Sequence, residues 1–305
     1  MHEQRINAAM DVIEASLHEQ LQLEDIASAA GFSPFHFHRL FLSIVGETPR
    51  QFVLRLRVER SAALLLDQPE SAVSDIAIRC GFSTASAFSR AFKEAFQMTP
   101  SEWRRSHDQV RSEGGSGDTN RVRTSDPANT IRRHSFDNRW DLIIDGLEPA
   151  ALQICARPEM HVAYLRHTGN FVGNAAVFTA MFDQLADWAR TALPATPETL
   201  AVYHDDPSIT SKDQLRFSAC VQIPATLVPT APVSRTSLRG GEYAVGRFRL
   251  GESDYAKAWA ALLADWLPSS GFETDDRPYV ERFLGIPDVF GRREVEICIP
   301  VRKQR

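Results

Sequence analysis

Arg39 and Arg90 stand fifty-one residues apart in nearly the same local phrase, PFHFHRLF and ASAFSRAF. A guanidinium is a planar fork of donors that satisfies two acceptors at once, on a carboxylate, a phosphate or the edge of a base. Beside Arg39 the first phrase offers Phe35, His36 and His38; beside Arg90 the second offers Ala85, Ser86, Ser89 and Lys93. These are hydroxyl, imidazole and ammonium groups that make hydrogen bonds, with small or aromatic groups that touch a methyl. One such set by itself is an ordinary solvated helix face. Two sets in matching positions ask for a common cause.

A second group of interest is Glu281, in the strand-like run PYVERFLG. A carboxylate among apolar neighbours needs a partner, and with none evident along the chain a bound cation is a natural one. The alternative is a strand glutamate facing solvent. Tyr203, in LAVYHDD, occupies the corresponding place seventy-eight residues earlier, and Tyr164, Tyr255 and Trp259 are the aromatic side chains that could line a groove beside it. His204 lies next to Asp205, but one histidine in a strand-end loop reads as structural. No Ser-His-Asp, Cys-His or metal-ligand spacing is present, so neither a catalytic residue, a metal nor a cofactor is expected.

The elements that position the first set are repeated as units. Asp25-Ile26-Ala27 precedes the first phrase and Asp75-Ile76-Ala77 the second; PheHisArgLeuPhe and its downstream Thr48-Pro49 are matched by Phe88 to Phe92 and Thr99-Pro100. A match sustained at a nearly fixed offset is an internal duplication. Each copy reads as a short helix, a glycine (Gly31, Gly81), then Phe-Ser and a second helix. The glycine supplies the positive φ of a tight turn. Ser33 and Ser83 are expected as N-caps, with Pro34 in the first helical turn. Spacing of i, i+3, i+4, i+7 buries Phe37, Leu40, Phe41 and Ile44 in one copy and Phe88, Ala91, Phe92 and Ala95 in the other. Two short helices meeting at such a turn make a helix-turn-helix, whose second helix fits a DNA major groove. The run TPRQFVLRLRVERSAALLLDQ between the copies predicts a helix of about 19 residues, about 28 Å long. A rod of that length holds two recognition helices in successive major grooves, so one chain reads both without dimerising.

Charge agrees once it is divided. The chain of 305 residues carries a formal net charge of −5, yet residues 31–61 and 79–105 each hold five basic and two acidic side chains. A local basic face matters more than the total. The length suggests two domains. No run approaches the roughly 18 apolar residues of a membrane helix, and the N-terminus is amphipathic and partly acidic, unlike a secretory signal. Four cysteines, Cys80, Cys155, Cys220 and Cys298, are far apart and without CxxC spacing, which fits a reducing cytoplasm.

From Ser106 to about Asn138 the sequence turns polar and Gly/Ser-rich, and residues 107–139 read as a flexible linker. Beyond it, QLADWARTALP is echoed by LLADWLPSSGF, FSACVQIP by VEICIP, and VAYLRHTG by AVGRFRLG. Each half reads strand, strand, helix, strand, strand. Two halves side by side predict one antiparallel sheet with two helices on one face and a groove at the pseudo-twofold axis. Trp188 and Trp266, at matching helical positions, are expected in the core. The expected fold is thus two domains: an all-α tandem helix-turn-helix domain over 1–106, and an α+β domain of two ββαββ-type pseudo-repeats over 140–305.

The pair DIASAAGFSPFHFHRLF…TPRQF and DIAIRCGFSTASAFSRAFKEAFQMTPSEWRRS resembles the DNA-binding domain of AraC/XylS-type transcription regulators, over residues 5–106. The resemblance implies double-stranded promoter DNA as partner, with base contacts from Phe35, His36, His38, Arg39, Ala85, Ser86, Ser89 and Arg90. Several relatives have Trp and Gln where this chain has Phe35 and His38, so its operator is its own. HVAYLRHTG, the paired helices, YVERF and the closing REVEICIPV are similar to GyrI-like effector-binding domains, over residues 147–303. That resemblance implies a hydrophobic or cationic small-molecule effector held at Glu281. The order of the two parts is the one seen in Rob-like regulators, a family that more often activates, and contact with RNA polymerase is one route to that effect. Some GyrI-like domains hydrolyse reactive molecules, so a hydrolase or drug-sequestering protein carrying its own DNA-binding domain is the alternative. A groove filled by its own side chains would instead suit a domain that only docks partners.

Overall fold

The computed structural model describes residues 2–113, 129–133, 138–195 and 197–304. The chain divides into two units, residues 1–117 with 230–234, and residues 118–229 with 235–305.

Among the described residues, seven helices form the first unit: α1 His2–Ala15, α2 Leu23–Ala29, α3 Pro34–Val45, α4 Pro49–Asp67, α5 Val73–Arg79, α6 Ala85–Phe96 and α7 Pro100–Glu113. Two small cores flank the 19-residue α4. In the first, Ile6, Met10 and Ile13 of α1 and Ile26 of α2 pack with Phe37 and Phe41 of α3 and with Phe52 of α4. In the second, Phe82, Phe88, Phe92, Phe96 and Trp103 form a chain of ring contacts at centroid distances of 4.6 to 5.9 Å. The Trp103 indole N–H donates to the Ala62 carbonyl of α4 at 3.3 Å.

The two copies turn alike and cap differently. Gly31 and Gly81 have φ of 69° and 85°. Ser33 caps α3, accepting from the His36 N–H. In the second copy the cap is Thr84, accepting from Ala87 N–H at 3.1 Å, and not Ser83. The serine lies one residue too early for its hydroxyl to reach the first free amides of the helix. α4 begins with a reciprocal Thr48–Gln51 capping box, and Thr99 and Glu102 repeat it at α7. Phe37, Phe41, Phe88 and Phe92 are buried as the spacing requires. Ile44 and Ala95, expected inside, are exposed, because other elements fill these cores, with Ile6, Ile13 and Phe52 in the first copy and Phe82, Phe96 and Trp103 in the second.

Among the described residues, the second unit has an 11-stranded sheet with strand order β1-β2-β3-β8-β11-β10-β5-β6-β4-β7 and β9 paired to β11. The strands are β1 Thr130–Arg133, β2 Arg139–Ile143, β3 Ala150–Arg157, β4 Met160–Thr168, β5 Thr199–Tyr203, β6 Arg216–Gln222, β7 Ser234–Leu238, β8 Gly241–Leu250, β9 Phe272–Thr274, β10 Tyr279–Leu284 and β11 Arg293–Lys303. Helix α8 (Ala175–Ala192) follows β4, and α9 (Tyr255–Ala260) follows β8 and runs on as a π-helical turn over Ala261–Trp266. From β3 to β7 the order reads alike in both directions. The first strand of each half sits beside the second strand of the other, β3 on β8 and β7 on β4, while β10 and β5 meet at the centre.

The residues read as a linker are thus in part regular. α7 continues through Glu113, the residue before the first glycine of that stretch, and Ile131 of β1 packs against the sheet core while the strand pairs with β2. Residues 114–128 and 134–137 lie outside those described.

Both helices cover one face of the sheet. Phe178 of α8 stacks on Phe217 of β6 at 4.3 Å. Leu262 and Trp266 pack with Phe248 and Ile297. Trp266 is fully buried, whereas Trp188 is half-buried. The other face carries a separate apolar cluster that includes Tyr164, Val202, Cys220, Val245 and Val280.

Candidate functional site

On α3, Phe35, His36 and Arg39 are exposed and His38 is half-buried; on α6, Ala85, Ser86, Ser89, Arg90 and Lys93 are all exposed. The buried phenylalanines on the inner face of each helix fix which side chains remain outside. Phe35, at 74% exposure, is a large aromatic side chain held in solvent, and the Arg39 guanidinium lies 5.8 Å from its ring centre. His36 packs edge-on to Phe32 at 5.3 Å, so part of its surface serves the turn. Both arginines and the α6 hydroxyls present donors outward, the equipment for reading base edges and phosphates.

The second site is closed around a carboxylate. Glu281, in β10, is 2% exposed; the solvent-facing alternative does not hold. Its Oε1 accepts from the Trp259 indole N–H at 2.6 Å and its Oε2 from the Tyr203 hydroxyl at 2.7 Å. Sheet register explains the second contact: Tyr203 lies opposite Tyr279 on β10, two residues from Glu281 and on the same face. Burial pushes the Glu281 carboxyl up to about 7, against the pull of the Trp259 and Tyr203 hydrogen bonds. Burial and the neighbouring carboxylate raise the Tyr203 hydroxyl well above its ordinary value, and push Tyr255 up to about 12. Both tyrosines are therefore neutral, Tyr203 donating to the carboxylate, and Glu281 is the group that titrates near neutrality.

Aromatic rings complete the surround. Trp259 lies 6.0 Å from Tyr203 and 5.8 Å from Tyr279, and Tyr203 lies 5.9 Å from Phe171. Of the sequence candidates, Glu281, Tyr203, Tyr255 and Trp259 come together. Tyr164 does not: strand alternation places it opposite Cys220 in the cluster on the other face, beneath the Arg166 guanidinium. Its neighbour Arg166, two residues on, shares that face. Tyr279, Phe171 and Phe178 were missed. Tyr279 could have been found from the i, i+2 spacing with Glu281, which puts both on one strand face. His204 contacts Ser218 Oγ at 2.9 Å, and Asp205 is in an almost fully buried ion pair with Arg216, so both have structural partners.

Comparison with known proteins adds the following. The GyrI-like small molecule binding domain family matches residues 151–302, and a helix-turn-helix domain family matches residues 26–106. An uncharacterized HTH-type transcriptional regulator of Bacillus subtilis is 36% identical over 34% of this chain and 35% of its own length; this chain thus spans about a third of that relative. A DNA gyrase inhibitor of Edwardsiella ictaluri is 32% identical over 40% of this chain and 81% of its own. A solved transcriptional regulator of Chromobacterium violaceum, described as an AraC-type DNA-binding domain-containing protein, is 32% identical over 36% of this chain and 95% of its own, with a TM-score of 0.32. Among the described residues no helix is long and apolar enough to cross a membrane. With its paired helix-turn-helix units and its helix-covered sheet, the chain carries an AraC-type helix-turn-helix domain and, in its C-terminal part, belongs to the GyrI-like small molecule binding domain family.

Proposed function

We propose that the protein reads duplex promoter DNA with the outer faces of α3 and α6, in the cytoplasm, and that an apolar, cationic effector bound against Glu281 shifts its DNA-competent population. The observation that carries the reading is the pair of equivalent outer faces, each with an exposed arginine, Arg39 and Arg90, on a helix seated by two buried phenylalanines. Phosphate contacts from the basic copies set register, and the arginines and hydroxyls select bases.

At the other site, Glu281 offers a buried acceptor among aromatic faces, which favours a cation carrying apolar surface. The aromatic side chains fill the space beside the carboxylate, the arrangement that also suits a domain which only docks partners, so a ligand that reaches Glu281 displaces one of its two donors. Trp259 is the candidate for that movement, since it lies two residues before the π-helical turn, an irregularity found often at functional sites. An effector that binds the two populations equally would shift nothing; regulation requires the displaced and undisplaced arrangements to differ in DNA affinity. Members of the family regulate transcription, so binding stands ahead of hydrolysis.

The test is selection of genomic fragments by the full-length protein, with affinity measured against salt. Enrichment of a discrete site and a steep fall of log affinity with log salt are expected. Retention of the same site by an Arg39→Ala/Arg90→Ala protein overturns the reading.

A further inference from the structure

The sheet face that carries Glu281 also carries a charge of the opposite sign. On β10, Phe283 follows Glu281 by two residues and shares its face. Val295 of β11 lies opposite Phe283, and Arg293, two residues before Val295, shares that face in turn. The Arg293 guanidinium lies over the Phe283 ring, 5.3 Å from its centre, and Phe182 of α8 packs edge-on to the same ring at 5.4 Å. Tyr255, in the first turn of α9, is close enough to feel both charges: beyond the effect of burial, the Glu281 carboxylate pushes its hydroxyl up and the Arg293 guanidinium pulls it down. Phe182, Tyr255, Phe283 and Arg293 are all half-buried, so this stretch has an open side.

Arg293 is held there without an acidic partner. Its chain neighbours are engaged with other residues, Arg292 with Glu148 at 3.0 Å and Glu294 with Arg247 at 2.6 Å. Arg293 itself forms no ion pair and no side-chain hydrogen bond among the described residues. Its Nε–H is enclosed, but its two outer nitrogens are not, so the donors that a ligand would meet are open. Arg157, Arg216, Arg277 and Arg282, which are buried or half-buried in the same unit, each hold a carboxylate. Packing against Phe283 fixes where the Arg293 fork stands, and an open fork held in place is prepared for a carboxylate.

We infer that the effector is amphoteric: its cation meets Glu281, its apolar body lies along Phe283, and a carboxylate at its far end is taken by Arg293. This rests on the cation reading at Glu281 and narrows it to one class of molecule. Two strand residues span about 7 Å and four about 13 Å, and the guanidinium lies over a ring two residues from Glu281, so the two charges of the ligand are about 10 Å apart. Charge leads to the same class. A ligand with a cation alone brings a like charge towards Arg293, whereas one with a carboxylate at that spacing complements both ends.

Calorimetric titration of the full-length protein tests this, at about pH 8.5 so that Glu281 is ionised. The probes are 4-(4-aminobutyl)benzoate, with both charges, 4-phenylbutylamine, which lacks the carboxylate, and 4-butylbenzoate, which lacks the ammonium. The doubly charged probe should bind at least about tenfold more tightly than 4-phenylbutylamine, the worth of one charge-assisted hydrogen bond, and more tightly than 4-butylbenzoate. Arg293→Gln should abolish the tenfold ratio while 4-phenylbutylamine binds as tightly as before or more so, which also shows the site to be intact. Arg293→Lys, which keeps the charge and loses the fork, should retain part of the ratio. Glu281→Gln should weaken both amines. A ratio near one in the parent, a ratio that survives Arg293→Gln, or tightest binding by 4-butylbenzoate overturns the proposal and leaves the cation reading to be judged on 4-phenylbutylamine. Loss of both amines in Arg293→Gln and Arg293→Lys alike overturns it too, since the residue then only shapes the groove. If 4-phenylbutylamine fails to bind at millimolar concentration, or ignores Glu281→Gln, the cation reading falls and the proposal with it.

Discussion

Both units are built by doubling, and the two doublings have gone different ways. In the helical unit the copies keep the same residues in the same roles: Phe37 and Phe88, Phe41 and Phe92, Arg39 and Arg90, Gly31 and Gly81. In the sheet unit the positions that correspond across the halves, Tyr203 and Glu281, have become unlike, and one donates a hydrogen bond to the other. The difference follows from where each copy is used. Two recognition helices work side by side on a repeating ligand, so likeness serves them. The central strands β5 and β10 meet at one site, and a single site between two identical groups would hold two carboxylates that repel or two tyrosines without an acceptor. Divergence there creates a complementary pair.

The largest test of likeness is on DNA. If both arginines read bases, each of Arg39→Ala and Arg90→Ala should cost about 1–3 kcal/mol of preference for the selected site, and the double variant about 2–6 kcal/mol, with thermal stability unchanged because both side chains are exposed. Competition binding against non-specific duplex measures it. A loss confined to one arginine would show that the copies have diverged in function while keeping their sequence.

The test of unlikeness uses pH. The folded-state pKa of Glu281, about 7, exceeds the ordinary value of 4.5, so the native state binds the extra proton. Stability from this group is fully present below pH 4.5, falls as pH rises, and is lost above 7. The span corresponds to about 3 kcal/mol. Glu281→Gln should remove this slope, so its stability relative to the parent rises by up to that amount between pH 4.5 and 7, read by denaturant unfolding at each pH. A cationic effector, needing the ionised form, should bind more tightly as pH rises through the same window and level off above it.

Within the helical copies, the two turn glycines look interchangeable and are not. A Cβ at Gly31 meets the tip of the Arg5 side chain, which gives way only by loosening its hydrogen bonds to the Ala30 and Gly31 carbonyls. At Gly81 it falls well inside 3.0 Å of the Leu17 carbonyl oxygen, with Arg57 behind it. That carbonyl is fixed by the Arg57 Nε hydrogen bond at 2.9 Å. Gly31→Ala should cost about 2 kcal/mol, for its positive φ and the loosened Arg5 hydrogen bonds, and Gly81→Ala about 3 kcal/mol, for its positive φ and overpacking against backbone. Unfolding midpoints of the two variants decide; equal costs would mean that the second turn yields.

These contrasts mark what the sequence could disclose. The helical unit was legible because its signals are local: glycine turns, Thr-Pro starts and phenylalanines at helical spacing each act within a few residues. The misplaced cap, Ser83 for Thr84, is an error of one residue in a run of three hydroxyl-bearing or small residues. The strand pattern of the second unit was legible too, but the exchange of first strands between halves was not, because nothing along β3 or β7 states its neighbour. For the same reason Glu281 showed no partner. Trp259 and Tyr203 are twenty-two and seventy-eight residues away, and only the sheet brings them in. Tyr164 failed for an opposite reason: its aromatic character was visible, but the face it occupies depends on a register that the sequence leaves open.

The smallest effect lies where the helical copies differ in a single backbone angle. α3 ends at Gly46 with φ of 84°, and α6 ends at Gln97 with φ of 57°. Both residues close their helix in the left-handed region, and their amides donate to Leu42 and Lys93 carbonyls respectively. Glycine holds that conformation without strain, while a residue with a Cβ pays about 1 kcal/mol. Gln97 also donates its side-chain amide to the Glu94 carbonyl at 2.9 Å, an exposed bond that returns part of the difference. Gln97→Gly should therefore stabilise the helical unit by somewhat less than 1 kcal/mol, and Gly46→Ala should destabilise it by about 1 kcal/mol. Opposite signs for two substitutions at matching positions, read as shifts in the unfolding midpoint, are what a retained turn with one imperfect residue requires. If Gln97→Gly destabilises, the side-chain bond outweighs the backbone angle and the second copy has found its own way to end the helix.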